Sequence, residues 1–232
     1  MRRIIALLTC CLALCGAAAA KDYNPTPSPD GKMLAFTRDN DLWVRSVADS
    51  VETRLTFDGS QLILNGYASW VYYEEILGRA SNYRAFWWSP DSRKIGFYRF
   101  DNSEVPMFPI FSPFGQNGSL SQTRYPKAGQ TNPQVRVGII DLQDGRTVWA
   151  DFDETADQYF GTPFWGADSR ELYVSREPRR QNVLDLYAVS VEDGSRRDVY
   201  HEEYPTWVEW IDGMIFTDKG LYMARNFETG WR

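Results

Sequence analysis

Two adjacent carboxylates, Glu74 and Glu75, close a block of aromatic residues in the segment from Asn65 to Arg79, NGYASWVYYEEILGR. Tyr67, Trp70, Tyr72 and Tyr73 precede them, and Ile76 and Leu77 follow directly. Adjacent acids on a polar loop carry no message. Inside a half-buried aromatic run they repel one another and lose hydration, which is costly unless a cation or several donors answer them. The cation can be a ligand ammonium, a metal, or a local arginine such as Arg79 or Arg84. No His or Cys accompanies the pair, and Ca²⁺ needs more oxygen ligands than two side chains offer, so no metal is assigned.

Nucleophilic chemistry has little to build on. No Gly-x-Ser-x-Gly elbow occurs, and the single histidine, His201 in YHEEYPTW, sits at a strand end. A triad needs a base positioned beside its nucleophile, so no catalytic residue and no cofactor are assigned. The acids Asp151, Asp153, Glu154 and Asp157 read as a solvated face. Asp39-Asn40-Asp41 starts like a cation loop, lacks the later Gly and Glu of one, and reads as a turn. Asn117-Gly118-Ser119 is a glycosylation sequon by pattern alone.

The elements that must position the glutamates are strands. A turn followed by an alternating apolar run occurs three times: SPDGKMLAF from Ser28, WSPDSRKIGFYRF from Trp88 and WGADSRELYVSRE from Trp165. Pro fixes φ and Asp bonds its own backbone in such turns. Strands are expected at 41–47 and 53–57. Hairpins are expected at 135–152, turning at Gln143-Asp144-Gly145, at 185–200, turning at Asp193-Gly194, and at 213–224, turning at 218–220. The turn copies lie farther apart than the roughly 40–50 residues of a simple propeller blade, so each interval holds an insertion or two units. The stretch 106–133 reads as an irregular excursion, and one or two helical turns are expected near Tyr73 to Arg79. Trp87, Trp88, Trp165, Trp207 and Trp210 read as blade-packing residues. The fold class is therefore all-β: a partial β-propeller of about three to four blades, with an N-terminal signal peptide.

Residues 1–20 carry that signal: Arg2-Arg3, an apolar run from Ile4 to Leu14, and small residues Ala17 to Ala20. Export to the periplasm, the cell envelope or the medium follows. All three cysteines (Cys10, Cys11, Cys15) fall within it, so residues 21–232 depend on core packing rather than disulfides. Leu14 stands where a lipidation site prefers a small residue, which argues against an anchor on Cys15. A net charge of −6 without a basic block excludes nucleic acid as a natural partner.

From about Ser28 onward the chain resembles the β-propeller part of the dipeptidyl peptidase IV family and its bacterial relatives, in the prolyl oligopeptidase clan. ASWVYYEEI (Ala68 to Ile76), AFWWSPDSRKIGFYRFD (Ala85 to Asp101) and EVPMFPIF (Glu104 to Phe111) carry the resemblance in order and spacing. It implies an eight-bladed propeller, with a separate C-terminal α/β-hydrolase domain bearing a Ser-Asp-His triad that residues 1–232 do not include. It also implies exported serine-type proteolysis that releases X-Pro or X-Ala dipeptides. Glu74 and Glu75 would hold the free α-ammonium of the peptide substrate, and the propeller would restrict access. An arginine that relatives use beside the glutamates has no counterpart here. Implied partners are peptides with a free N-terminus, the hydrolase domain and, as an open alternative, a second copy in a homodimer. A tripeptidyl variant and a non-enzymatic exported propeller that only binds also stay open. The ending Gly230-Trp231-Arg232 reads as leading into a further strand.

Overall fold

The computed structural model describes residues 20–227 and 230–231. Apart from Ala20, the expected signal segment lies outside the described residues. The first blade is β1 (Tyr23–Pro27), β2 (Met33–Arg38), β3 (Asp41–Ser46) and β4 (Glu52–Arg54), antiparallel and in chain order. In the second blade, β5 (Ile63–Asn65) and β6 (Phe86–Trp88) both pair with β7 (Lys94–Asp101). A protruding hairpin follows, β8 (Met107–Ser112) and β9 (Ser119–Arg124), before β10 (Gln134–Asp141) and β11 (Thr147–Trp149) complete the sheet. The third blade is built alike: β12 (Gln158–Phe160) and β13 (Phe164–Trp165) share β14 (Glu171–Pro178), then come β15 (Val183–Ser190) and β16 (Arg196–Glu203). A hairpin of β17 (Met214–Thr217) and β18 (Gly220–Met223) begins a fourth unit. The all-β partial propeller is what forms.

Strand periodicity explains the stacking. Successive side chains of a strand point to opposite faces. Ile95 and Phe97 of β7 join Ala35, Leu42 and Val44 of the first blade in one core. Tyr98 and Phe100 of the same strand join Phe160, Leu172 and Val174 of the third in another. Gly96 admits the neighbour, since a Cβ there would stand 2.9 Å from Leu172 Cδ2.

The recurring Trp-x-x-Asp-Ser unit is the grip of each blade on the one before it. Trp88 Nε1 donates to Thr26 O (3.0 Å), and Trp165 Nε1 donates to Trp87 O (3.1 Å). At the other end of the unit, Asp30 N donates to Ser92 Oγ (3.0 Å) and Asp91 N donates to Ser169 Oγ (3.1 Å). Both serines adopt positive φ, 62° and 60°, at the position that Gly31 fills in the first turn.

The three expected hairpins form with their expected turns. Asp39 and Asn40, both at positive φ, make the two-residue turn between β2 and β3. The fourth strand is shorter than expected, because Leu55 and Thr56 turn inward and Thr56 Oγ1 donates to the buried Asp41 (2.6 Å). The stretch 106–133 is not irregular throughout: six residue pairs join β8 and β9 in a regular hairpin. The long intervals between turn copies arise from this hairpin and from residues 66–85, which interrupt the innermost strand of the second blade.

Glu177 is fully buried where the third blade meets the fourth unit, and neither carboxyl oxygen has a hydrogen-bond partner among the described residues. Burial pushes its carboxyl up to about 8, Glu209 and Glu202 add to the shift, and Gln181 and Arg225 offset only part of it. The folded protein thus holds a proton that the unfolded chain releases near 4.5. This contribution is complete below the unfolded value and is lost as pH rises toward 8. Glu177→Gln is expected to stabilise the protein at pH 8 by on the order of 2 kcal/mol or more relative to its effect at pH 4.5. Urea midpoints at the two pH values measure this, and an equal offset at both contradicts it.

Candidate functional site

The glutamates sit on an excursion that leaves the second blade at its innermost strand. Gly66 N donates to Tyr98 O (2.9 Å), and Tyr98 N donates to Ala85 O (3.0 Å), so one residue of β7 holds both ends. Ala85 N to Gly66 O and Ala68 N to Tyr83 O close the neck. Gly66 lies at φ +68°, where a side chain would be strained and would press on Leu42.

Beyond the neck the chain winds into one wide turn, Tyr72–Ile76. Tyr73 N donates to Ser69 O in α-helical fashion, and Leu77 N then reaches Tyr72 O (2.7 Å), one residue farther back. A short 3₁₀ turn, Arg79–Ser81, follows. The helical expectation near Tyr73 to Arg79 therefore holds, in two pieces. Helical spacing puts Val71, Tyr72, Ile76 and Leu77 against the core, which leaves Glu74 and Glu75 on the outward side.

Aromatic contacts fix the turn on three sides. The Tyr72 ring is fully buried, 4.8 Å edge-to-face from Phe100, and its hydroxyl accepts from Phe160 N of the third blade (3.1 Å). Tyr73 stacks on Tyr83 at 3.8 Å, Tyr83 stacks on Tyr67 at 5.0 Å, and Tyr67 meets Tyr23 of the first blade edge-on. Trp70 meets Tyr125, just past β9, edge-on at 6.1 Å. Burial pushes the Tyr67 hydroxyl up to about 12 and the Tyr72 hydroxyl higher still, so both stay neutral donors and acceptors.

The two acids differ in their surroundings. Glu74 is half-buried, accepts from Trp70 Nε1 (2.8 Å) and pairs with Arg79. The Arg79 side chain is 71% exposed, so solvent screens that pair heavily. Glu75 is exposed and has no hydrogen bond or ion pair among the described residues. Arg84, the other candidate cation, makes no ion pair among them either. The structure thus brings the two glutamates together on one turn, with one carboxylate held and the other open.

Two hollows flank the turn. A larger one of about 440 Å³ has a mixed lining, with Tyr67, Trp70 and Met107 beside Gln61, Asn102 and Arg124. A smaller one of about 200 Å³ lies between Trp70 and the β8–β9 hairpin, and Glu74 lines it. Spacing alone does not single out Trp70 as the donor to Glu74, although a Trp four residues before an acid on a helical turn is the available signal.

The remaining candidates lie elsewhere. His201 Nδ1 sits 2.7 Å from Asp185 Oδ1, its cross-strand partner, and that bond raises the imidazole above its ordinary value. No serine or cysteine bonds it among the described residues. Glu154 pairs with Arg136, Asp157 with Arg179, and Asp153 bonds Thr155. Trp207 is half exposed rather than packed.

The family described as "Dipeptidyl peptidase IV (DPP IV) N-terminal region" matches residues 13–232. The "Probable dipeptidyl peptidase 4" of Emericella nidulans is 32% identical over 81% of the chain and 25% of its own length. A "Probable dipeptidyl-aminopeptidase B" of Talaromyces marneffei is 35% identical over 82% of the chain and 23% of its own length. The crystal structure of Porphyromonas gingivalis dipeptidyl peptidase 4 superposes with a TM-score of 0.78 at 28% identity, over 88% of this chain and 29% of that one. The chain spans about a quarter of the length of the curated relatives it matches.

Tyr72→Phe removes the acceptor of a buried N–H and keeps the ring. It is expected to cost about 1–3 kcal/mol, against about 3–5 kcal/mol for Tyr72→Ala. Chemical denaturation of both variants measures the difference, and a neutral Tyr72→Phe contradicts the anchoring.

Proposed function

The chain belongs to the family of dipeptidyl peptidase IV N-terminal regions, and from that premise we propose that Glu74 and Glu75 receive the free α-ammonium of a peptide substrate. The protein is, on this reading, an exported serine-type dipeptidyl peptidase that releases X-Pro or X-Ala dipeptides. Hydrolysis belongs to an α/β-hydrolase part outside these 232 residues, and the propeller supplies the clamp and limits access.

The observation that carries the proposal is the pair of carboxylates on the outward side of one anchored turn, one fixed by Trp70 and the other open. An ammonium has three donors and no acceptor, so two carboxylates can take two of them as charge-assisted bonds. The acids need only remain ionised and transfer no proton. Arg79 occupies Glu74 in the absence of substrate. An exposed ion pair of this kind is worth at most about 1 kcal/mol, so an arriving ammonium displaces it at little cost. Fixing the N-terminus at a set distance from the nucleophile lets the enzyme count residues and reject blocked peptides.

In the whole protein, Glu74→Gln and Glu75→Gln are each expected to lower kcat/KM on a Gly-Pro chromogenic substrate about 10- to 100-fold. That is the effect of losing a hydrogen bond between charged groups worth about 1.5–3 kcal/mol. Rates like the wild type in both variants contradict the clamp.

A further inference from the structure

We propose that the 440 Å³ hollow is a binding site for a small organic carboxylate with an apolar body, held by the guanidinium of Arg124. Neither Glu74 nor Glu75 lines it, so the site is separate from the ammonium clamp and does not rest on it. Its volume falls within the range of about 300–1,000 Å³ usual for small-molecule sites.

Two parts of the second blade build the walls. Residues on either side of the neck, among them Leu64, Tyr67 and Trp70, supply one side. The β8–β9 hairpin supplies the other, where Met107 and Arg124 stand opposite one another in register and so share a face. Arg124 Nη1 donates to Val105 O (2.5 Å) and Ser103 O (3.4 Å), in the turn that enters β8. One nitrogen thus anchors the guanidinium. Its Nε and Nη2 make no hydrogen bond among the described residues, and the side chain makes no ion pair among them. A free guanidinium edge presents two N–H groups in a fixed fork, which matches the two oxygens of a carboxylate.

The charge balance calls for an anion. No Asp or Glu lines the hollow, and burial holds the Tyr67 and Tyr83 hydroxyls above their ordinary value, so both stay neutral. Arg124 is half-buried, and a cation so placed without a counter-ion is costly. A single guanidinium balances a single negative charge, which favours a carboxylate over a doubly charged phosphate. Two further groups in the wall are unanswered. Ser69 and Asn102 are only 4% and 5% exposed, and Ser69 Oγ and Asn102 Oδ1 have no hydrogen-bond partner among the described residues. A hydroxyl rotates to donate, and an amide presents its NH₂ by turning over, so both suit a ligand rich in acceptors. The apolar body has its own surfaces: Tyr67 stacked on Tyr83 at 5.0 Å, the Trp70 indole, and the adaptable Met107 thioether from the hairpin.

Calorimetry on the whole protein with phenylacetate and phenylacetamide, which share one apolar body, tests the site. Phenylacetate is expected to bind at least tenfold more tightly, the effect of a hydrogen bond between charged groups. Arg124→Gln is expected to remove that preference. Met107 is 49% exposed, so Met107→Trp can fill the hollow from its open side; it is expected to weaken phenylacetate tenfold or more and leave the urea midpoint unchanged. Equal affinity for the two compounds in the wild type overturns the proposal. So does a preference that survives Arg124→Gln, or phenylacetate binding that survives Met107→Trp, since either would place the anion elsewhere in the protein. Phenyl phosphate binding more tightly than phenylacetate overturns the singly charged head.

Discussion

The hydrogen bond from Phe160 N to the Tyr72 hydroxyl joins residues 88 positions apart and ties the glutamate turn to a neighbouring blade. It ties the excursion to the third blade, while the neck at Tyr98 and the Tyr67–Tyr23 and Trp70–Tyr125 contacts hold its other sides. Residues 66–85 interrupt an innermost strand, where every backbone group must otherwise find a ladder partner. Tyr98 resolves this by bonding both ends of the excursion. Its own hydroxyl reaches the carbonyl of Gly161, where the third blade's innermost strand is likewise broken. Two neighbouring strand breaks are thus closed by two tyrosines that meet edge-to-face.

That frame determines how the two acids can coexist. A like-charged pair fully inside the core would have to give up its charge or carry a permanent counter-ion. The turn instead drives Tyr72, Ile76 and Leu77 inward and leaves both carboxylates on the outside. Glu74 is steadied by an indole N–H and an exposed arginine, and Glu75 keeps its water. A site assembled this way holds negative charge in a fixed place and stays available to an incoming cation. Buried acids elsewhere behave differently: Glu202 is answered by the buried Arg225 at 2.6 Å, and Glu177 by no hydrogen-bond partner among the described residues.

Much of this was legible in the sequence where local pattern and tertiary role coincide. The Asp-Gly turns, the alternating strands and the Trp-x-x-Asp-Ser units all lie where their chemistry places them. The function of that last unit was not legible, since Trp88 and Ser92 act on a blade some 60 residues away. The β8–β9 hairpin escaped notice because Pro109 demotes one strand and SLSQTR shows no apolar alternation, being exposed on both faces. Adjacency marked Glu74 and Glu75 as a pair, and the aromatic run marked them as unusual. Which of Arg79 and Arg84 would face them could not be decided from spacing. The left-handed Asn82 and Tyr83 between them turn the chain, and Arg79 is the one that meets Glu74.

On the proposed reading, this turn recognises a charged, unblocked N-terminus. The most direct measurement is calorimetric binding of a non-cleavable dipeptide analogue to the whole protein, with its amine free and with it acetylated. Acetylation removes the charge and two of the three donors while leaving the rest of the ligand intact. Acetylation is expected to weaken binding about 100-fold or more. Equal affinity for the two forms would contradict it.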